Sequence, residues 1–303
     1  MSTRHPIIVV TGSSGAGTTT VKEAFAHMFR REGIVPAVVE GDSFHRYNRA
    51  EMKRKTAEAE AEGCRRFSHF GAEANLFEEL ENLFRTYGET GSGKRRLYLH
   101  NEEEAKPYSP LGIGSGEFTP WEAIPSDTDA LFYEGLHGCV QTDGVNVSRH
   151  ADLKIGVVPV INLEWIQKIH RDTRERGYSE YVVMDTILRR MYDYVHYIVP
   201  QFKTTDINFQ RVPIVDTSDP IIARDIPTPD ESLVVIRFRK PEKFGVDFLY
   251  LLQMLHGSWM SRRNTIVIPG GKMGLAMELI LTPIIRYMMT ERRRVMEDEM
   301  AVA

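Results

Sequence analysis

The chain has 303 residues, 42% hydrophobic and 26% charged, enough for one large domain or two small ones around a buried core. A formal charge of −4 with 38 basic residues provides no global basic field for nucleic acid. Two cysteines, Cys64 and Cys139, exclude a disulfide framework and any Cys-x-x-Cys metal site, leaving one bridge or two unrelated thiols.

Met1-Ser-Thr-Arg-His runs straight into the apolar, β-branched stretch Pro6–Val10, a buried strand with no signal peptide ahead of it. A glycine-rich turn follows, and then Val21, Ala24, Phe25, Met28 and Phe29 mark one face of a helix that Gly33 ends. Val35–Val39 reads as the next strand. Strand, crossover helix and strand in one short unit predict a parallel sheet covered by helices. Further strands are expected at Ala130–Tyr133, Leu153–Val160, Ser232–Arg239 and Ile266–Ile268. Asn162 is a candidate cap for a helix reaching to about Gly177, another helix runs from about Tyr181 to His196, and a Leu/Met-rich one starts near Met273. Gly88–Pro125 has no sustained period and reads as a long excursion, a functional or mobile loop rather than core. No apolar stretch approaches the ~18 residues of a membrane span. The expectation is one α/β domain over residues 1–290 with a charged tail at 291–303, in the cytoplasm, with no membrane or nucleic-acid partner.

Gly12-Ser13-Ser14-Gly15-Ala16-Gly17-Thr18-Thr19-Thr20 follows the first strand and opens the first helix. It is a phosphate-loop pattern, Gly-x-x-x-x-Gly-Lys-Ser/Thr, with Thr18 where lysine is expected. Such a loop aims backbone N–H groups at phosphate oxygens, and Thr19 offers Mg²⁺ a hydroxyl. Without the lysine, phosphoryl transfer needs a cation from elsewhere. Lys168, Arg171 and Asp172 stand at i, i+3 and i+4 on one helix face, either a closing lid or a solvated face with ion pairs. After the second strand comes Glu40-Gly41-Asp42-Ser43-Phe44-His45-Arg46-Tyr47-Asn48-Arg49. Asp42 lies where a general base would sit, beyond a strand's C-terminal end, and reads equally as a helix N-cap. His45 and Arg49, four apart on whatever helix follows, suit an anionic acceptor. Leu131-Phe-Tyr-Glu134 is a strand ending in an acid, which either orients magnesium or bonds a neighbouring loop.

These stretches, T-G-S-S-G-A-G-T-T-T, E-G-D-S-F-H-R-Y-N-R, F-Y-E-G-L-H-G, A-D-L-K-I-G-V-V-P-V-I-N-L-E-W-I-Q-K-I-H-R-D and H-G-S-W-M-S-R, span Thr11 to Arg262. In combination they resemble the phosphoribulokinases, whose phosphate loop also lacks the lysine. The resemblance implies a P-loop fold of the nucleoside-monophosphate-kinase type, a mostly parallel sheet flanked by helices. It implies transfer of the ATP γ-phosphoryl group to the C1 hydroxyl of ribulose 5-phosphate in the Calvin cycle. Asp42 becomes the base, Lys168 the group that stabilises the transferring phosphoryl, and Asp172 a magnesium ligand supported by Glu134 and Thr19. His45, Arg49, His100, Arg171 and Arg176 become the sugar-phosphate contacts, His100 through the resemblance alone. The bacterial form is the one resembled, which implies a homo-octamer activated by NADH at Arg31, Arg237 and Arg262. Ala16 stands where plant and cyanobacterial members carry a regulatory cysteine. The rival readings are a uridine-kinase-like enzyme, whose acceptor is neutral, and an ATP-binding regulator without turnover.

Overall fold

The structure is a computed structural model that describes residues 4–13, 18–64, 66–174, 177–223 and 225–302, with Thr18–Thr20 and Val302 described by their backbone only. Among the described residues ten strands form: β1 Ile7–Gly12, β2 Pro36–Glu40, β3 Lys94–Arg95, β4 Glu122–Ala123, β5 Ala130–Gly135, β6 Leu153–Val158, β7 Ile207–Pro213, β8 Ser232–Phe238, β9 Trp259–Arg262 and β10 Thr265–Pro269. The helices are α1 Thr18–Glu32, α2 Arg49–Ala61, α3 Phe77–Thr90, α4 Glu102–Ala105, α5 Ile161–Arg174, α6 Glu180–Asp193, α7 Phe248–Met254 and α8 Met273–Val302. Eight strands make one sheet in the order β2-β5-β1-β6-β7-β8-β10-β9. It is parallel from β2 through β7 and antiparallel from there to the β9 edge.

Side chains on a strand alternate between faces, and β1 uses both. Ile8 and Val10 point to a core shared with Phe25, Met28 and Phe29 of α1 and Met277, Ile280, Leu281 and Ile284 of α8. Ile7 and Val9 point the other way, onto Phe77, Leu80, Leu83, Phe84 and Tyr87 of α3. Both faces are therefore covered, as a parallel sheet requires.

Several elements differ from the sequence expectation. Asn162 does not cap α5, which begins one residue earlier at Ile161; its amide donates instead to the Thr217 carbonyl at 2.9 Å. The excursion does not start at Gly88, which belongs to α3; Gly91, at φ 69°, closes that helix in the left-handed conformation. Beyond it the excursion is a pinned ribbon: β3 pairs with β4, Tyr98 bridges Phe118, and Leu99 is buried. The helical stretch Gly270–Ala301 is long and apolar enough in composition to cross a membrane, contrary to the sequence reading. One of its faces packs on α1 and the sheet through Ala276, Met277, Ile280 and Ile284, while Glu278 and Arg286 pair with α1 residues on its flank. The two cysteines are free thiols, Cys64 exposed and Cys139 buried.

Candidate active site

At the C-terminal end of β2 the chain makes one tight turn, Gly41–Phe44. A side chain at Gly41 would place its Cβ 2.5 Å from Tyr133 Oη and 2.8 Å from Gly135 Cα, so glycine is what lets the turn press against the end of β5. Asp42 stands on this turn. Its Oδ1 lies 3.7 Å from His45 Nε2 and its Oδ2 lies 3.6 Å from His100 Nε2. His100 arrives from the excursion ribbon, so the trio exists only in the folded chain. The His45 ring meets His69 edge-on at 5.7 Å and Tyr98 at 6.4 Å. Burial holds His45 below the ordinary histidine range although Asp42 pulls it up. His69 lies lower still, first through burial and then through the Arg190 guanidinium, 3.3 Å from its Nδ1.

The second wall is α5. Glu164, Lys168 and Asp172, four residues apart, share one face of it. Burial pushes Glu164 above the ordinary carboxyl range, partly offset by the neighbouring Ser13 and Tyr194 hydroxyls, which places the first turn of α5 against the entry to the phosphate loop. Lys168 bonds Asp172 Oδ2, and Arg171 Nε donates to Asp172 Oδ1 at 3.1 Å. Burial lowers Lys168 to about 8, aided by the Arg190 charge and opposed by Asp172. Burial favours the protonated form of Asp172, but Lys168 and Arg171 outweigh it and keep the carboxyl below its usual range. His69 stands between the His45 ring, edge-on at 5.7 Å, and the Arg190 guanidinium, 3.3 Å from its Nδ1.

The phosphate end is described in part. At Gly12 a Cβ would sit 2.5 Å from the Val157 carbonyl oxygen, so β1 leaves the sheet through a position only glycine can occupy. Ser13 is buried. Ser14, Gly15, Ala16, Gly17 and Arg176 lie outside the described residues, and Thr18–Thr20 form the first turn of α1. Glu40 and Glu134 are cross-strand neighbours at the strand ends, and Lys22, one turn into α1, bonds Glu40.

The remaining candidates fall in three places. His45 and Arg49 do not share a helix: His45 follows the tight turn, Asn48 caps α2 in a capping box with Glu51, and Arg49 is the first helical residue. Arg49 instead holds the ribbon, Nη2 donating to the His100 carbonyl at 2.7 Å and Nη1 to Ser115 Oγ at 3.2 Å. Arg237 and Arg262 line one cavity of about 570 Å³ with Asn208, Gln210 and Ser261. Arg31 does not line it and pairs with Glu278 and Thr282 of α8. His69, Arg190, Glu164 and Arg96 were not anticipated from the sequence; Glu164 stands four residues before Lys168 on α5, a spacing that could have marked it, while the other three come from separate elements with no such spacing.

A profile of the Phosphoribulokinase / Uridine kinase family matches residues 7–218. The chromosomal phosphoribulokinase of Cupriavidus necator is 65% identical over 294 residues, 97% of this chain and 99% of that protein. The phosphoribulokinase of Nitrobacter vulgaris is 60% identical over 97% of this chain and 100% of its own length. Among solved structures, a phosphoribulokinase from Rhodobacter spheroides superposes with a TM-score of 0.88 at 58% identity, over 96% of this chain and 100% of that one. With the sheet order, the glycine-rich exit from β1 and the two acidic strand ends already in place, the chain belongs to the Phosphoribulokinase / Uridine kinase family.

Proposed function

We propose that this chain transfers the γ-phosphoryl group of ATP to the C1 hydroxyl of ribulose 5-phosphate, giving ribulose 1,5-bisphosphate and ADP, a reaction of the Calvin cycle. The observation that carries the reading is Asp42 with a histidine beside each oxygen, the His45 ring reaching through His69 to the Arg190 guanidinium. Asp42 takes the proton of the attacking hydroxyl as the oxygen–phosphorus bond forms. His45 and His100 orient that hydroxyl. Arg49 positions the ribbon that carries His100, while Arg171 and Arg176 hold the acceptor's 5-phosphate. Lys168 meets the charge that develops on the transferring group, in place of the lysine missing at Thr18.

Gly12 to Thr20 is the ATP phosphate cradle in this reading, and the nucleotide brings Mg²⁺. The donors fit such an ion: Glu134 and Asp172 offer hard oxygens, Thr19 is of a type that offers another, and Mg²⁺ takes one or two carboxylates alongside phosphates and water. Among the described residues no three metal-ligating side chains gather into a closed cage. The metal would neutralise phosphate charge, and Asp172 would exchange one of its present cation contacts for it.

The reading extends to a single catalytic domain at 1–290 with a charged tail at 291–303, to a cytoplasmic homo-octamer, and to NADH as activator. The cavity lined by Arg237 and Arg262 supports an anionic effector there, with Arg31 acting from α1. A coupled ADP-release assay with ribulose 5-phosphate and uridine in parallel, each with and without NADH, tests the acceptor and the effector together. Turnover confined to uridine would refute the acceptor, and an unchanged rate with NADH would refute the effector.

A further inference from the structure

Arg96 leaves the ribbon just after β3 and reaches back across 53 residues to the turn that carries Asp42. Its Nε donates to the Ser43 carbonyl at 2.8 Å and its Nη2 to the His45 carbonyl at 2.6 Å. The guanidinium stacks 3.7 Å from the Phe118 ring centroid and 4.8 Å from that of Trp121. Trp121 in turn meets Phe44 edge-on at 5.6 Å, closing the cage around the turn. Burial lowers Arg96 to about 10, which leaves it charged at neutral pH.

The two carbonyls flank the exit of the turn, one and three residues after Asp42. On its other side the turn is tied by backbone, Arg46 N–H to the Ala74 carbonyl and Leu76 N–H to the Phe44 carbonyl, both at 2.8 Å, and by the Arg46 guanidinium, which donates to the Glu73 and Asn75 carbonyls at 3.2 and 3.1 Å. Arg96 is thus the side-chain strap on the ribbon side. The same ribbon carries His100 four residues later, so one guanidinium sets both the turn and the approach of His100 to it. A planar fork stacked between aromatic rings can bridge two carbonyls at once; an ammonium on a flexible stem cannot.

We propose that Arg96 is a positioning residue for the phosphoryl transfer, fixing the Gly41–Phe44 turn and the His100 ribbon so that Asp42 keeps its place between His45 and His100. This rests on the reading of Asp42 as the base. A displacement near 1 Å at a reacting group costs on the order of 10² in rate. Arg96→Met therefore lowers kcat by about 10- to 100-fold, with the KM for ATP within about twofold, and Arg96→Lys loses nearly as much.

The test is a kinetic double-mutant cycle on protein checked for folding by circular dichroism, with Arg96→Lys replacing Arg96→Met should the latter not fold. If Arg96 acts through Asp42, the double variant Asp42→Asn/Arg96→Met is no slower than Asp42→Asn alone. A purely structural arginine would lower the melting temperature and leave kcat per folded molecule unchanged, which overturns the proposal. Losses that multiply on an already slow Asp42→Asn background overturn it too, while leaving Asp42 as base. Near-normal turnover in Asp42→Asn itself would remove the base reading instead.

Discussion

Lys168 is the sharpest test of how this fold manages without a lysine in its phosphate loop. Its ammonium is largely buried, bonded to Asp172, and held to about 8 by burial and by the Arg190 charge. Loss of a cation aimed at a transferring phosphoryl group costs on the order of 10³–10⁵ in rate. Arg171 and Arg190 stay on the same side of the cleft, so Lys168→Met belongs at the lower end, about 10³ in kcat, or about 4 kcal/mol at the transition state. Both KM values move far less, because the contact strengthens as charge develops. The proton adds an independent signature. The free enzyme's ammonium titrates near 8, so kcat/KM for ATP falls as pH rises through that value. Bound nucleotide adds negative charge beside the ammonium and moves the limb seen in kcat upward. Lys168→Arg keeps its charge across this range and loses the alkaline limb, whatever its residual rate. The assay is ADP release at saturating and limiting ATP between pH 6 and 10 with wild type, Lys168→Met and Lys168→Arg. A Lys168→Met kcat within tenfold of wild type, or an alkaline limb that persists unchanged in Lys168→Arg, refutes the assignment.

Asp42→Asn lowers turnover by about 10²–10⁴ while ATP still binds, read by titration with a fluorescent nucleotide analogue; retained turnover would exclude the base. His137, 3% exposed and lowered to about 3 by burial, is neutral in the fold, and the partly buried His45 ring shares the direction. The unfolded chain binds more protons than the fold below about pH 6.5, so stability is full above that pH. It declines as pH falls toward the folded value, by about 1.4 kcal/mol per pH unit for each such histidine, and His137→Gln flattens the slope in urea titrations. Mild oxidation followed by dithiothreitol leaves activity unchanged, because burial pushes the Cys139 thiol to about 12 and Cys64 stands exposed apart from it. A reversible loss would reveal a thiol switch.

The elements that sequence periodicity revealed are those whose burial is one-sided or complete. β8 alternates Val234, Ile236 and Phe238 inward, and α1 places Phe25, Met28 and Phe29 on one stripe. Other elements were missed for different reasons. α2 has no buried residue, so it leaves no hydrophobic period, and its signal is the Asn48–Glu51 capping box alone. α3 carries a stripe from Phe77 to Tyr87 that was passed over, and because the helix runs on to Thr90 the excursion's border at Gly88 was set too early in the chain. Strand order was never local information. It follows from which faces α1, α3 and α8 cover.

Site residues divided along the same line. Asp42, Lys168 and Asp172 could be proposed from the sequence because strand ends and i,i+4 spacing are properties of one segment. His100 had no chemistry of its own in the sequence; it acquires one from the ribbon that folds it onto Asp42. Arg49 shows the opposite case, since its spacing from His45 suggested a shared helix face, yet the Asn48 cap separates them and turns Arg49 toward the His100 carbonyl. Arg96 and Arg190 are the furthest from legibility. An arginine in a loop reads as surface charge until the rings, carbonyls and histidines around it are assembled from distant parts of the chain. The phosphate loop's lost lysine is therefore informative in a way a single motif is not. It requires cations from elsewhere: Lys168 and Arg171 share α5 by their spacing, and the packing of α6 on α5 brings Arg190 to Lys168.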